Sequence, residues 1–594
     1  MSLIVQKFGG TSVADSEKIL AAARKAIRAQ RQGHQVVMVV SAMGKNTDML
    51  VALAGQITDR PPAREMDMLL STGEQVSVAL MAMAVHSLGH KAVSLTGAQM
   101  GIRTDSKHTK ARIRSISTKR VKRLLDEGNI VIAAGFQGMD EDWNITTLGR
   151  GGSDTTAVAL AAVLRADSCE IYTDVDGVYT TDPRVVPEAR RVGQVSYDEM
   201  LELASLGSGV MHNRSIEFAK KYGVSIHVRS SLSDAAGTMI VAAPEAPEQS
   251  VCGAALLKDE ARVSLLGVPD VPGTSLELFS RIAGRNISVD MIVQDVGDQG
   301  KADITFTVPF QELRSTLDVV GDASKVIKPS EISSDDCVSK VSVVGLGMAR
   351  QAGVADKMFR ALADAAVNIQ MITTSEIKIS ALVERQAAQV ALRAVHGAFE
   401  LDVEPPPTDS AITASSRAHA PDAVTIASRL RGADMEELTI DSIAMDESQA
   451  RVTIRGVPDT PGVAATVFEE VAAVGVFVDM IVQSYNGHED EANLSFTVAQ
   501  DRLESALQVA RRLAEKYHCQ TVTSSPKIAK LSVSGVGLRS HTGVAIRMFR
   551  ALAGADINVE MINTSEVHVN VVVDGRHGRE ALTRLEDAFA DVMQ

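Results

Sequence analysis

Apolar stretches of strand length alternate with helical patterns in the first part of the chain. This alternation predicts a mainly parallel sheet covered by helices on both faces. Residues 36–40 read VVMVV, a continuous run that is typical of a strand buried on both faces. Further strands are predicted at Leu3–Val5, Lys91–Leu95, Ile130–Ala134, Glu170–Thr173 and Ser225–Arg229, and helices at about Asp15–Gln30, Asp67–Ala84 and Ser215–Lys221. The sheet is expected to close near Val241.

The loop and helix at residues 146–164 combine glycine with charge. Three glycines flank Arg150 and precede small apolar helix formers, and Ser153 or Asp154 is predicted as the helix N-cap. A glycine turn at a helix start presents backbone N–H groups that suit a phosphate or a carboxylate. Arg150 adds a planar donor for a carboxylate. Asp154 brings a negative charge to the same turn, which is expected if the loop also holds a cation such as a lysine or a substrate ammonium. The alternative is an ordinary tight turn with an N-cap.

Small and polar residues also follow other predicted strands, at the carboxyl ends where open α/β sheets bind ligands. Lys7 precedes Gly9 and Gly10, a phosphate-cradling layout that differs from the common nucleotide loop, whose lysine comes after its glycines. The polar loop at 174–184 carries acid, tyrosine and arginine able to contact a nucleotide. Glu74, in the predicted helix Asp67–Ala84, is a candidate to bind an ammonium group. The alternative for Lys7 is a solvated lysine at a strand end, and the alternative for Glu74 is a solvated helix carboxylate.

The rest of the chain is a tandem duplication. Residues 341–376 align without a gap with residues 531–566, and 20 of the 36 positions are identical. Each repeat holds two related modules, in which a strand and a glycine loop lead through a helix to a second strand. The Pro-, Ser- and Ala-rich stretch Asp402–Asp422 between the repeats, like 243–249 before them, is predicted as a connector.

Composition narrows the class of protein. A chain of 594 residues predicts about three to five domains, and 45% hydrophobic with 23% charged residues is ordinary for globular protein. The formal net charge of −14 argues against nucleic-acid and membrane partners. We expect no signal peptide, no membrane-spanning helix and a cytoplasmic location. Reduced, buried thiols are predicted at Cys169, Cys252, Cys337 and Cys519.

Five motifs in order resemble those of the aspartate kinases, within the amino acid kinase family. They are KFGGTS at 7–12, SAMG at 41–44, TGE at 72–74, TTLGRGGSDTTA at 146–157 and YTDVDGVYTTDPR at 172–184. The duplicated part resembles ACT domains, which are βαββαβ (ferredoxin-like) amino-acid sensors. The resemblance implies an α/β catalytic domain at 1–243, a first ACT pair at 250–400 (ACT1 about 262–335, ACT2 about 338–400), a linker at 401–437 and a second pair at 438–594 (ACT3 about 451–525, ACT4 about 528–594).

The resemblance also implies a reaction, in which the ATP γ-phosphoryl group passes to the side-chain carboxylate of L-aspartate to give 4-phospho-L-aspartate. Lys7 would neutralise the moving phosphoryl group and Asp154 would hold Lys7. The aspartate would be bound by Ser41, Thr47, Glu74, Arg150, Gly151 and Ser153, with Arg150 on its α-carboxylate and Glu74 on its ammonium. The nucleotide would be bound by Lys7, Gly9, Gly10, Thr173, Asp174, Tyr179 and Arg184. Mg²⁺ would bridge the phosphates, with no protein ligand identified and no prosthetic group.

Regulation is expected to follow from the ACT modules. The resemblance implies lysine and threonine as effectors, a pathway leading to lysine, threonine and methionine, and a homodimer formed through the ACT domains. Effector sites are expected at Gly273, Gln294, Asn368 and Ile369 in the first repeat and at Gly462, Gln483, Asn558 and Val559 in the second. The alternative is that the glycines only turn the chain. One ACT module of a pair is expected to complete the other.

Two residues depart from the family's usual pattern, and two other functions are alternatives to aspartate kinase. Gly209 stands where many family members have a lysine that reaches ATP, and Asn213 stands where proline is usual. One rival function is a different amino acid kinase, acting on glutamate, acetylglutamate or a nucleotide. The other is a catalytically inactive sensor with a kinase-like head.

Overall fold

The computed structural model of the chain describes residues 2–207, 209–243, 249–296, 300–351, 353–405, 434–485, 491–538 and 543–593. The central parts of both predicted connectors lie outside these residues. The chain divides into two units. The first comprises Met1–Tyr179, Arg191–Glu245 and Pro406–Glu437, and the second comprises Thr180–Arg190, Ala246–Pro405 and Leu438–Gln594.

The first unit is the predicted α/β domain. Its strands are β1 Leu3–Phe8, β2 Gln35–Val40, β3 Ala92–Leu95, β4 Ile102–Thr104, β5 Ile113–Ile116, β6 Ile130–Ala134, β7 Gln137–Met139, β8 Ile145–Thr147, β9 Ser168–Thr173, β10 Gln194–Ser196, β11 Ile226–Ser230 and β12 Thr238–Val241. Its helices are α1 Ser16–Arg31, α2 Asn46–Ile57, α3 Ala63–Ser87, α4 Lys119–Asp126, α5 Gly152–Leu164, α6 Tyr197–Ser205 and α7 Asn213–Tyr222.

An eight-stranded sheet runs through this unit in the order β10-β12-β11-β9-β1-β2-β6-β3. Neighbouring strands are parallel except for β11 and β12. Residues 36–40 are all buried, as their continuous apolar pattern predicts, because helices cover both faces of the sheet. Four short strands form a second sheet in the order β5-β4-β7-β8.

Two expectations concern the chain as a whole. Among the described residues, one helix, α3, is long and apolar enough to cross a membrane by length and composition alone, and half of its apolar window is buried inside the protein. The four cysteines are free as predicted, yet only Cys169 is buried and Cys337 is exposed. Cys337 lies in a strand segment whose neighbouring side chains are largely exposed, so its position does not require an apolar residue.

The second unit contains four modules of ACT type: ACT1 and ACT3 have the order βαββαβ, whereas in ACT2 and ACT4 the strand that pairs beside the first strand comes from earlier in the chain, at residues 253–257 and 439–446. Its strands are β13 Gly253–Pro269, β14 Ile292–Val296, β15 Lys301–Pro309, β16 Glu331–Val344, β17 Met371–Thr374, β18 Lys378–Glu384, β19 Thr439–Asp446, β20 Gln449–Pro458, β21 Val478–Tyr485, β22 Glu491–Ala499, β23 Thr521–Ser525, β24 Ile528–Val536, β25 Met561–Thr564 and β26 His568–Asp574. Its helices are α8 Thr274–Gly284, α9 Leu313–Ile327, α10 Val354–Asp364, α11 Ala388–Ala398, α12 Val463–Ala473, α13 Leu503–Tyr517, α14 Gly543–Ala553 and α15 Gly578–Phe589.

Long strands join ACT1 to ACT2. The first half of β13 pairs with the end of β16 in ACT2, and its second half pairs with β15 in ACT1. Equivalent ion pairs also link neighbouring modules in each repeat, Lys340 with Asp290 and Lys530 with Asp479. The modules of one repeat are therefore directly connected.

The apolar cores, however, pair modules across the repeats. Strand β17 of ACT2 lies antiparallel to β21 of ACT3, and the rings of Phe359 and Phe468 are 5.6 Å apart. In the same way Phe279 of ACT1 lies 6.0 Å from Phe549 of ACT4. Each of two large buried clusters contains residues of such a cross-repeat pair. The modules of ACT1 and ACT2 thus share paired strands within their repeat, and each of them also shares an apolar core with a module of the other repeat.

Candidate functional site

The carboxyl ends of the central parallel strands meet at one edge of the sheet, and the loops that follow them are tied together. The Gly9 N–H donates to the carbonyl of Tyr172 at 3.2 Å, joining the loop after β1 to β9. The Ser41 N–H donates to Phe8 O at 3.1 Å, and the Gly135 N–H donates to Val40 O at 3.1 Å. These bonds gather the predicted motifs at the sheet edge where open α/β domains bind ligands.

An ion pair crosses this edge. Lys7 Nζ, near the end of β1, lies 2.6 Å from Asp154 Oδ1 in the first turn of α5, and each side chain is 12% exposed. The prediction that Ser153 or Asp154 caps this helix is wrong. The N-cap is Gly151, whose φ of 74° favours glycine, and it makes no side-chain cap bond. The carboxylate of Asp154 is instead engaged by the lysine, which accounts for an acid inside a loop suited to anions.

The loop after β1 is closely packed against the loop after β2. A Cβ on Gly10 would lie 2.7 Å from the carbonyl oxygen of Ala42, so a larger residue would push the two loops apart. Gly44 N–H donates to Gly10 O at 3.0 Å. A Cβ on Gly9 would lie 3.5 Å from Lys7 Nζ, which places the ammonium group beside the glycine backbone. Lysine and glycine backbone therefore lie together, as phosphate binding requires.

Glu74 lies on helix α3 and is buried, with only 3% of the residue exposed. Its Oε1 accepts a hydrogen bond from the Ala42 N–H at 3.1 Å. Its Oε2 is also buried and has no hydrogen-bond partner among the residues that the structure describes. Burial raises the pKa of Glu74 to about 7, against two opposing backbone hydrogen bonds. A buried carboxylate oxygen with spare acceptor capacity is suited to a cationic ligand.

The glycine loop before α5 packs against the start of α7. Arg150 is exposed, and a Cβ on Gly151 would lie 2.3 Å from Cβ of His212. Burial lowers the pKa of His212, Arg214 and Arg150 lower it further, and Asp154 opposes them. Ser153 is buried against Gly135. Ser41 and Thr47 are half-buried, at the end of β2 and in the first turn of α2.

The predicted nucleotide residues are divided between the two units. Thr173 ends β9 and donates to Asp174 at 3.2 Å, and Tyr179 donates to Asp176 at 2.7 Å, a bond that raises the pKa of Tyr179. These residues belong to the first unit. Arg184 belongs to the second, where its exposed guanidinium binds Asp182 and lowers the pKa of that carboxyl.

Sequence reasoning missed a buried group beneath the glycine loop. Asp67 is fully buried and accepts hydrogen bonds from Thr147 Oγ1 at 2.5 Å and from the Thr109 N–H at 3.0 Å, and it pairs with His108 Nδ1 at 2.7 Å. Asp67 thus joins α3 to the strand that leads into the loop. Its position in the predicted helix carried no signal, because its partners lie 41 and 80 residues away.

The predicted effector residues come together in two clusters, each drawn from both repeats. In one, Gln483 Nε2 donates to Ile369 O at 2.8 Å, and Asn368 Nδ2 donates to Asp459 Oδ1 at 3.0 Å. In the other, Gln294 Nε2 donates to Val559 O at 2.6 Å, and Asn558 Nδ2 donates to Asp270 Oδ1 at 2.7 Å.

Two glycines complete these clusters. Gly462 and Gly273 are the N-caps of α12 and α8, with φ of 93° and 97°. A small cleft of about 20 Å³ lies in the first cluster, lined by Asn368, Ile369, Gly462 and Gln483 among others. Each cluster therefore combines predicted residues of both repeats.

Comparison with known proteins identifies the class and then the family. Residues 2–230 match the amino acid kinase family, and residues 341–399, 452–512 and 531–589 match the ACT domain. The fold and the site thus define an amino acid kinase joined to ACT modules. An aspartate kinase of Pseudomonas putida is 51% identical over 404 residues, which cover 68% of this chain and 98% of that protein. The chain belongs to the aspartate kinase family.

Solved structures agree with this assignment. An aspartate kinase from Synechocystis is 41% identical, with a TM-score of 0.52, and the match covers 99% of this chain and 98% of that one. E. coli aspartokinase III in complex with aspartate and ADP is 25% identical, with a TM-score of 0.57, and the match covers 67% and 99% of the two chains. The same E. coli enzyme in complex with lysine and aspartate is 26% identical, with a TM-score of 0.54 and the same coverage.

These matches confirm the prediction of an aspartate kinase with ATP as substrate. The rivals, a different amino acid kinase and a catalytically inactive sensor, are set aside.

Proposed function

We propose that the edge of the eight-stranded sheet is the active site and that its residues act as the sequence motifs imply. The observation that carries this proposal is the Lys7–Asp154 pair beside Gly9 and Gly10. Lys7 offers a positive charge to the transferring phosphoryl group, and Asp154 fixes the ammonium group. The Gly9 N–H is bound to Tyr172 O and fixes the loop, and the Gly10 N–H beside it adds a donor that is already in position, so little reorganisation is needed during transfer.

The acceptor needs positioning rather than activation. The attacking side-chain carboxylate of aspartate is already an anion at neutral pH, so no general base is required, and the task is to bring two anions together. Arg150 holds the α-carboxylate of aspartate, and Glu74 holds its ammonium through the unpartnered Oε2. Ser41, Thr47, Gly151 and Ser153 complete the pocket. Thr173, Asp174 and Tyr179, which lie in the first unit, contact the nucleotide.

Mg²⁺ fits this site as a companion of ATP. The acids described around the sheet edge are engaged, Asp154 by Lys7 and Glu74 by Ala42 and the proposed substrate ammonium, so the residues suit an ion held by phosphate oxygens and water. Among the described residues, one group has metal-ligand spacing, Asp335, Asp336 and Cys337, and it belongs to the second unit. The ion supplies neutralisation of phosphate charge.

Substitution of Lys7 tests the phosphate site. Lys7→Ala should lower kcat by roughly 10³-fold or more, the size expected when a charge that acts on the transition state is lost. Arg150→Ala should instead raise mainly the KM for aspartate, because the α-carboxylate does not change during the reaction. Lys18→Ala, on the exposed side of α1, is the matched control. A near-normal kcat for Lys7→Ala in a coupled ADP-release assay would remove Lys7 from the site.

We further propose that the two cross-repeat clusters bind the effectors, lysine and threonine. Each offers an amino acid the free N–H groups of a helix that begins at glycine, and Asn or Gln groups that are already oriented. The E. coli relative in complex with lysine supports lysine as one effector. Feedback by these amino acids places the reaction first in a cytoplasmic pathway to lysine, threonine and methionine. The working assembly is a homodimer formed through the ACT modules.

Paired substitutions in the clusters test the effector proposal. Gln483→Ala and Gln294→Ala each remove one buried donor from one cluster and leave the other intact. Each should weaken inhibition by the amino acid bound in its own cluster by about 5- to 150-fold, the range of a typical coupling energy. Basal kcat should stay unchanged. Inhibition curves for lysine and threonine, taken singly and together, that match wild type in both variants would contradict the proposal.

A further inference from the structure

The C-terminal end of the long connector is bound to the first unit. Residues 434–437, which we call the strap, follow the first ACT pair in sequence, yet they are grouped with the α/β domain. Met435 is 2% exposed, its N–H donates to Arg114 O at 3.2 Å, and its carbonyl accepts from Tyr222 Oη at 2.9 Å. Lys221 Nζ donates to Glu437 O at 2.8 Å. The strap is thus held on both sides of Glu436.

The carboxylate of Glu436 binds two groups of the first unit. Its Oε1 accepts from the Ile113 N–H at 3.0 Å, and its Oε2 accepts from Arg214 Nε at 2.5 Å. The Glu436 and Arg214 side chains are 7% and 15% exposed, so the pair is largely shielded from water. A shielded carboxylate that accepts hydrogen bonds from a backbone N–H and a guanidinium N–H contributes more to stability than a surface ion pair.

Arg214 extends this contact to the glycine loop. Its Nη1 donates to the carbonyl of Leu148, and its Nη2 donates to Ala111 O at 2.5 Å. Leu148 lies two residues before Arg150 and is buried, with its own N–H bound to Phe136 O at 2.8 Å. One planar guanidinium therefore joins the strap to the backbone that presents Arg150. A lysine cannot reproduce three such directed bonds.

We infer that Glu436 is a positioning residue for aspartate binding, supplied by the connector between the ACT repeats. It orients the Arg214 guanidinium, which holds Leu148 and so sets the direction in which Arg150 is presented to the α-carboxylate of the substrate. This inference rests on the role proposed above for Arg150. Strand β19 begins at Thr439, two residues after the strap, and pairs with β24 of ACT4, so only a short stretch of chain separates the strap from the second repeat.

Steady-state kinetics of Glu436→Gln in the full chain test this inference. The amide keeps the shape but loses the charge, and we expect the KM for aspartate to rise roughly three- to tenfold with kcat within twofold of wild type. Asp434→Asn is the matched control, because that carboxylate lies in the same strap but makes only an exposed contact of 3.7 Å with Arg114. It should leave both constants unchanged. Arg214→Lys, which keeps the charge but not the fork, should also raise the KM for aspartate.

The outcomes separate this inference from the active-site proposal. If Arg150→Ala raises the KM for aspartate while Glu436→Gln and Arg214→Lys match Asp434→Asn, the strap inference is wrong and the site stands. If Arg150→Ala leaves that KM unchanged, the assignment of Arg150 to the aspartate α-carboxylate is wrong, and so is the role proposed for the strap. A loss of kcat in Glu436→Gln at unchanged KM, alongside a lower melting temperature, would show a purely structural contact and would also overturn the inference.

Discussion

The buried carboxylate of Glu74 makes a prediction in which stability and binding change in opposite directions. In the folded protein without substrate, burial raises the pKa of Glu74 from 4.5 to about 7. The folded state therefore holds this proton over a pH range in which the unfolded chain has released it. Stability from this group is present below pH 4.5 and is lost as the pH rises towards 7. The shift corresponds to about 3 kcal/mol, at about 1.4 kcal/mol for each pKa unit.

Glu74→Gln removes the titration but keeps an oxygen that can accept from the Ala42 N–H. The stability of the variant relative to wild type should increase by about 3 kcal/mol between pH 4.5 and pH 8. A constant penalty of about 1–3 kcal/mol for the buried amide N–H₂ leaves this pH dependence unchanged. The assay is urea unfolding of both proteins without substrate at several pH values. Parallel stability curves over this range would refute the reasoning.

Aspartate binding should show the opposite trend. An ammonium group pairs with the ionised form of Glu74, so the KM for aspartate in wild type should rise as the pH falls below 7, approaching tenfold for each unit. In Glu74→Gln the KM for aspartate should be higher than in wild type at every pH and should no longer rise as the pH falls. The measurement is the KM for aspartate from pH 5.5 to 8.5 at saturating ATP. A wild-type slope that persists in the variant would assign the titration to another group.

Two further predictions follow from the ion pair and the module pairing. Asp154→Asn should lower kcat in the same direction as Lys7→Ala but less, by roughly 10- to 10²-fold, because the lysine keeps its charge and loses only its partner; a kcat equal to wild type would contradict the role of Asp154. A chain ending at Pro405 lacks ACT3 and ACT4, the partners of ACT2 and ACT1, and also lacks Glu436. We expect it to self-associate through the exposed faces around Phe279 and Phe359, to turn over with a raised KM for aspartate, and to show weaker inhibition; a stable monomer in sedimentation equilibrium would contradict the module pairing.

Several features could be read directly from the sequence because they depend on local pattern. The continuous apolar run at 36–40 is a buried strand, and glycine and lysine at the end of β1 lie at the sheet edge, since parallel strands bring their carboxyl ends together. The role of Asp154 as the partner of Lys7 followed from the resemblance, and the ion pair is found in the structure. The duplication was visible as identity between the repeats, and each repeat does contain two modules.

The remaining features depend on groups that are distant in sequence. No local pattern shows that Glu74 is buried with one oxygen unpartnered, or that Gly151 rather than Ser153 caps α5, since both depend on how the loops pack. The similarity of the two repeats leaves open which modules pair, because by pattern each apolar face fits its own neighbour or the other copy. Tertiary packing decided for the pairs Phe359–Phe468 and Phe279–Phe549. It also placed Glu436 against Arg214, which lies 222 residues away in the sequence. The sequence contains many charged residues that could pair with either side chain, so it does not show this contact.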